Sequence, residues 1–212
     1  ELSWYTPGEE RFAATNLGEH FFLIYAALSA GLLTLVARRA EWREGLLPGY
    51  VLLPIAVLLL VELDVKWVAD TAFADFGWLA WPLLFAFLYW HLRSVGEKNL
   101  LASLWHAFCW WFLTLFLTWN TAALVKMTGD FVTGSVWVYV IWGVVPLLVS
   151  AGLLRLRDEA RWPFSPYQGA YFGWGWMIAV GYLVGWLLAT GLVRGDADPV
   201  PYLLLINPVE LT

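Results

Sequence analysis

Charge in this chain comes in clusters of alternating sign, and long apolar stretches separate them. Arg38, Arg39 and Arg43 are followed by Glu62, Asp64, Asp70 and Asp75, then Arg93 and Lys98, then Asp130, then Arg155, Arg157 and Arg161, then Asp196 and Asp198. Between them lie six windows without Asp, Glu, Lys or Arg: His20 to Ala37, Gly45 to Val61, Phe76 to Leu92, Leu100 to Val125, Val136 to Leu154 and Tyr171 to Val193. A membrane-spanning helix needs roughly 17 to 25 apolar residues. All six windows reach that length, the second and third only just.

The predicted fold is therefore an all-α integral membrane bundle of six helices. Basic residues gather on the cytoplasmic side of membrane proteins. That rule places Arg38, Arg39, Arg43, Arg93, Lys98, Arg155, Arg157 and Arg161 inside, with both ends of this piece outside. Of the 17 acids, 12 then fall outside, against four of the 12 Lys and Arg, so the net charge of -5 reflects topology more than ligand choice. A composition that is 61% hydrophobic and 14% charged excludes an ordinary soluble domain. Most of the 16 tryptophans fall near window ends, where an amphipathic ring suits the headgroup layer.

The chain begins at Glu1 without methionine or a signal-peptide pattern and ends on PVPYLLLINPVELT, which reads like the approach to a further membrane segment. We expect one membrane domain, an excerpt of a larger polytopic protein. Pro54 and Pro146 interrupt the second and fifth windows. Proline is tolerated there when neighbouring helices satisfy the carbonyl it frees, at the cost of a kink.

Two constellations could carry chemistry. On the fourth helix, at ~100° per residue, Ser103, His106, Thr114, Thr118 and Thr121 share one arc with Trp110. An ionisable residue at membrane depth is a functional candidate, although Ser, Thr and His also serve as interhelical hydrogen-bond glue worth about 1 kcal/mol. After the second helix, Glu62, Lys66 and Asp70 recur at every fourth position. With Asp64, Asp75 and a nearby His20 they would form an acidic outer mouth, able to bind a cation or to supply paired carboxylates. A solvated helix cap accounts for the same residues. The lone Cys109, among apolar neighbours, reads as a small buried side chain. No metal motif is present and no cofactor is indicated. The sixth helix carries Gly181, Gly185 and Ala189 at small-residue packing spacing, as do Ala27 and Gly31 on the first.

The segments WPFSPYQGAY and VPYLLLINPVEL resemble the later part of a bacterial family of large membrane proteins, the domain of unknown function 2339. There a proline-rich approach and a leucine, asparagine, proline, apolar, acid signature precede a membrane segment. The matching positions are Leu205 or Ile206, Asn207, Pro208 and Glu210, with Ile206 where leucine is expected. The resemblance implies a many-helix protein of the bacterial inner membrane and little about activity. Asn207 as cap, Pro208 at the first helical position and Glu210 in the first turn also have a purely structural explanation.

The leading expectation is a transporter, or an accessory subunit to one, that handles an envelope lipid, glycan or small solute. His106 and the hydroxyl stripe would line its path. Alternatives are a membrane-embedded transferase using Glu62, Asp64 or Asp70 as general base with the inner arginines on a phosphorylated donor, and a non-catalytic scaffold docking through the glycine face. The expected partners are membrane lipids and further membrane subunits or flanking segments, with no nucleic acid.

Overall fold

A computed structural model of the chain describes residues 16–66, 71–96, 100–128, 136–158 and 161–190. The described residues are helical throughout apart from short turns, without strands. Within them six α-helices follow one another: α1 Leu17–Arg39, α2 Leu47–Lys66 after a 3₁₀ turn at Glu44–Leu46, α3 Gly77–Val95, α4 Leu100–Thr128, α5 Val136–Arg155 and α6 Gly175–Thr190. A π-helical segment, Gly169–Trp174, leads into α6. The described helices coincide with the charge-free windows to within a few residues at most ends, because the charged clusters are what the bilayer rejects.

Among the described residues five segments are long and apolar enough to cross a membrane: Leu17–Arg39, Glu44–Glu62, Leu100–Met127, Trp137–Arg155 and Gly169–Thr190. The helix α3 is not among them. Its 19 residues include three tryptophans, Pro82, His91 and Arg93, which dilute its aliphatic content. It is instead well packed, burying Ala80, Trp81, Leu84, Phe87, Leu88, His91 and Leu92. Elsewhere many aliphatic side chains point outward: Leu28, Leu58, Leu148 and Leu188 are 59%, 69%, 64% and 69% exposed. Apolar surface on that scale is tolerable only against lipid or another chain.

The chain falls into two compact units, residues 1–96 and 97–212. In the first, α1 packs against both α2 and α3, with Leu23, Ala27, Leu52, Ala56, Leu60, Ala80 and Leu84 in its core. The loop at 71–76 closes back onto the start of α1. Asp75 Oδ2 accepts the backbone N–H of Asn16 at 3.1 Å, and the Asp75 carbonyl bonds the Nδ1 of His20 at 2.8 Å. This turn is strained, for Asp75 and Phe76 both hold positive φ, 48° and 70°. A side chain at Gly77 would collide with the Ala72 carbonyl, so glycine is what lets the turn close.

In the second unit α4 packs on α5 and on the π-helical segment, and α5 packs on α6. Pro146 removes the N–H that would bond the Trp142 carbonyl four residues earlier. The Tyr182 hydroxyl of α6 donates to that carbonyl at 2.7 Å, and Trp186 Nε1 donates to the Tyr139 carbonyl one turn away at 2.8 Å. Gly143 makes room for the Trp186 ring, which a Cβ there would strike. The neighbouring helix thus satisfies the freed carbonyl, as expected for a proline in a membrane helix. By contrast Gly181 and Gly185 have nothing within 4 Å of where a Cβ would stand.

Candidate functional site

All three histidines of the chain are buried, at 0% exposure for His20 and His106 and 1% for His91, and each has one ring nitrogen bonded and the other without a partner. Each owes this to a different neighbourhood. His106 sits about two turns into α4 from Leu100. Its ring stacks on Tyr167, with centroids 3.9 Å apart, and meets Trp162 and Tyr171 edge-on, each at 5.8 Å. His106 Nδ1 and the Tyr171 hydroxyl are hydrogen-bonded at 2.9 Å. If the phenol donates, Nε2 carries a proton and lacks an acceptor; if the ring donates, Nε2 is a bare lone pair and lacks a donor. Either way one buried nitrogen is unsatisfied, at a cost of about 1–3 kcal/mol.

The sequence builds this box from two places. The helix α4 presents His106 with Ala102 and Ala107, small neighbours that let the segment 161–171 approach. That segment supplies Trp162, Phe164, Tyr167, Ala170 and Tyr171, and Tyr171 also takes an edge from Phe164 at 5.2 Å and from Trp110 at 6.1 Å. Tyr171 stands within the π-helical turn. Such turns are rare and recur at functional sites.

In the first unit, Thr34 donates its only hydroxyl proton to the Ala30 carbonyl at 2.8 Å. Its oxygen must therefore accept from His91 Nδ1, 3.1 Å away. That fixes the tautomer and leaves His91 Nε2 as a lone pair. The ring is wedged by Tyr50 edge-on at 4.9 Å and Phe87 at 5.7 Å, and Gly49 is glycine because a Cβ would enter the ring. His20 follows the same logic: a carbonyl only accepts, so Nδ1 donates to Asp75 and Nε2 is bare.

The family described as "Predicted membrane protein (DUF2339)" has a model that matches residues 2–212. The chain belongs to that family. A comparison with curated proteins gives no match, and a comparison with solved structures gives none either. The DUF2339 match covers nearly the whole chain, well beyond the two segments that carry the resemblance in the sequence. Of those segments, the tryptophan-to-tyrosine run at 162–171 forms the wall of the His106 box, whereas Leu205, Ile206, Asn207, Pro208 and Glu210 lie outside the described residues.

Three hydroxyls of the α4 stripe of this DUF2339 chain are engaged within their own helix. Thr114, Thr118 and Thr121 donate to the carbonyls of Trp110, Thr114 and Leu117 in their own helix at 3.0, 2.8 and 2.8 Å. Thr114 and Thr118 are buried, Ser103 and Thr121 half-buried. Threonines so arranged keep oxygen lone pairs but spend their protons locally, and they tend to bend the helix. Of the acidic residues, Glu62 is exposed near the end of α2, Asp64 lies on α2, Asp70 lies outside the described residues, and Asp75 caps α1. His20 does meet Asp75. Among the described residues no three His, Cys, Asp or Glu side chains gather as a metal cluster.

Tyr167 and Tyr171 are the residues that sequence reasoning missed. The signal was present in their spacing: they are four apart, in the segment already quoted for its resemblance to the family. Only the fold brings them to His106, 61 and 65 positions earlier. Cys109 is buried, as its neighbours suggested.

Proposed function

We propose that this protein of the DUF2339 family works in the bacterial inner membrane, where it transports, or assists in handling, an envelope lipid, glycan or small solute. Both ends of this piece then face outward. The supporting observation is the half-satisfied His106, an ionisable ring held by Tyr171 in an aromatic box with Nε2 unpartnered. Buried polar atoms are almost always paired, and one left unpaired at membrane depth favours a second state in which it finds a partner. The π-helical turn that carries Tyr171 is the element able to make that change, by passing its extra residue along the helix. In this reading the box is closed in the present state, and a polar group of the solute replaces the missing partner of Nε2 when it opens.

The test is the envelope itself. Lipid and glycan composition is profiled by mass spectrometry in cells carrying the wild-type protein, lacking it, or carrying His106→Leu at equal abundance. The reading expects the His106→Leu profile to match the cells that lack the protein. A His106→Leu profile like wild type, or no difference between wild-type cells and cells lacking the protein, contradicts it.

A second reading, a non-catalytic scaffold, draws on the open glycine face of α6. It expects Gly181→Leu with Gly185→Leu to dissolve a complex that survives gentle extraction. A complex unchanged by that pair argues against it.

A further inference from the structure

An apolar groove of about 450 Å³ runs along the surface of the first unit, between α1 and α3. Its walls are Ala27, Gly31 and Leu35 with Leu28 and Leu32 on one side, and Leu83, Ala86, Phe87 and Trp90 on the other. Its size is that of a small-molecule site, ~300–1,000 Å³. The groove exists because of Gly31: any side chain there would rest on the Phe87 ring, starting with a Cβ at 3.6 Å. From Ala27 to Leu35 it extends about 12 Å at 1.5 Å per residue, close to the depth of one leaflet of a hydrocarbon core about 30 Å thick.

One end of the groove is positively charged. Both helices run in the same direction along it, since α2 returns the chain between them. Continuing the α1 face past Leu35 by helical periodicity reaches Arg38 and Arg39, which are exposed; continuing α3 past Trp90 reaches exposed Arg93 at the margin of its face. Trp90 stands at the same end, half-exposed, where an indole suits the headgroup layer. Among the described residues of that end, Arg38, Arg39, Arg43 and Arg93 outnumber Glu41 and Glu44. A hydrocarbon slot of one-leaflet depth that opens beneath guanidinium groups matches one occupant in both shape and charge.

We infer that the groove binds an anionic phospholipid, one acyl chain lying between α1 and α3 against Gly31 and Phe87, and its phosphate held by Arg38, Arg39 and Arg93. Guanidinium groups bind phosphate through paired, charge-assisted hydrogen bonds, and an aliphatic chain in the slot replaces solvent or disordered lipid against Leu28, Leu32 and Leu83. The site does not depend on the His106 reading, and its test uses different residues.

The full chain, stripped of lipid in detergent, is titrated with phosphatidylglycerol or with phosphatidylcholine of the same acyl chains, and adducts are counted by native mass spectrometry. We expect one saturable adduct with a clear preference for phosphatidylglycerol. Each basic residue at a membrane surface is worth about fivefold in attraction to anionic lipid, so Arg38→Gln, Arg39→Gln and Arg93→Gln together should cost about tenfold or more of that preference. Gly31→Leu should remove the adduct of either lipid. Gly31→Ala, whose Cβ fits, preserves the fold by circular dichroism and should weaken both. Arg155→Gln with Arg157→Gln, in the other unit, should leave the adduct unchanged. Equal binding of the two lipids overturns the site, as does a preference that survives the triple variant, a loss of preference in the Arg155 and Arg157 control, or unaltered adducts in both Gly31 variants.

Discussion

The Tyr182 hydroxyl lies 2.7 Å from the Trp142 carbonyl, the one carbonyl of α5 that Pro146 leaves without its helical donor. A proline that would otherwise expose a polar group to hydrocarbon is thereby turned into a joint between α5 and α6. Tyr182→Phe should destabilise the second unit by about 1 kcal/mol, in the range of interhelical hydrogen bonds in membranes. In a Pro146→Ala background, where the backbone N–H restored by the substitution takes over, the same change should cost nearly nothing. Unfolding of the four proteins in detergent gives the coupling; equal costs in both backgrounds contradict the joint.

Two glycines next to aromatic rings should behave unlike two that face open space. Gly143→Ala drives a methyl into Trp186 and breaks its bond to the Tyr139 carbonyl, and Gly49→Ala does the same to His91. Overpacking of this kind costs about 1–3 kcal/mol. Gly152→Ala and Gly181→Ala meet nothing and should stay within about 0.5 kcal/mol of wild type or gain slightly from helix propensity. Melting temperatures of the four variants in one detergent decide this.

At Asp75 the backbone and the charge can be separated. Asn tolerates the left-handed conformation that Asp75 holds at φ 48° and keeps an acceptor for the Asn16 N–H, but removes the negative charge from the α1 N-terminus. Asp75→Asn should cost about 0.3–1 kcal/mol, whereas Asp75→Val, β-branched at positive φ and without an acceptor, should cost about 2–4 kcal/mol. If Asn and Val are equally costly, neither the cap nor the strained turn has the role assigned to it.

What the sequence made legible follows from physics that acts locally. Charge clusters mark where the chain leaves hydrocarbon, so the six helices and most of their ends could be read directly. The satisfied proline and the buried Cys109 followed from rules that need only near neighbours. The polar side chains of α4 share an arc by helical spacing, but residue type alone does not say where a hydroxyl proton goes. Thr114, Thr118 and Thr121 give theirs to the preceding turn. The pairing of His106 with Tyr171 was out of reach because it joins α4 to a segment 65 positions later, through a turn whose π-helical form no composition rule announces. The groove was equally hidden. Ala27 and Gly31 at small-residue spacing suggested helix packing, and Gly31 does face Phe87 of α3, but spacing alone does not show the slot left beside that contact.

The His106 box makes a prediction about its own wall. Tyr171→Phe keeps the packing against Phe164 and Trp110 but leaves both ring nitrogens of His106 unpartnered, and should cost about 1–3 kcal/mol. His106→Phe replaces the polar ring with one that stacks on Tyr167 and should rescue stability in the Tyr171→Phe background. A double variant no more stable than Tyr171→Phe alone contradicts the account of the box as an unsatisfied polar pair inside an aromatic shell.

The most direct measurement of the central claim, that His106 serves a solute, is native mass spectrometry of the protein extracted gently from its own membrane, wild type beside His106→Leu. The account predicts that the wild type carries an envelope component of defined mass and that His106→Leu, equally folded by circular dichroism, has lost it. The same component at the same occupancy on both proteins, or none on the wild type, would contradict it.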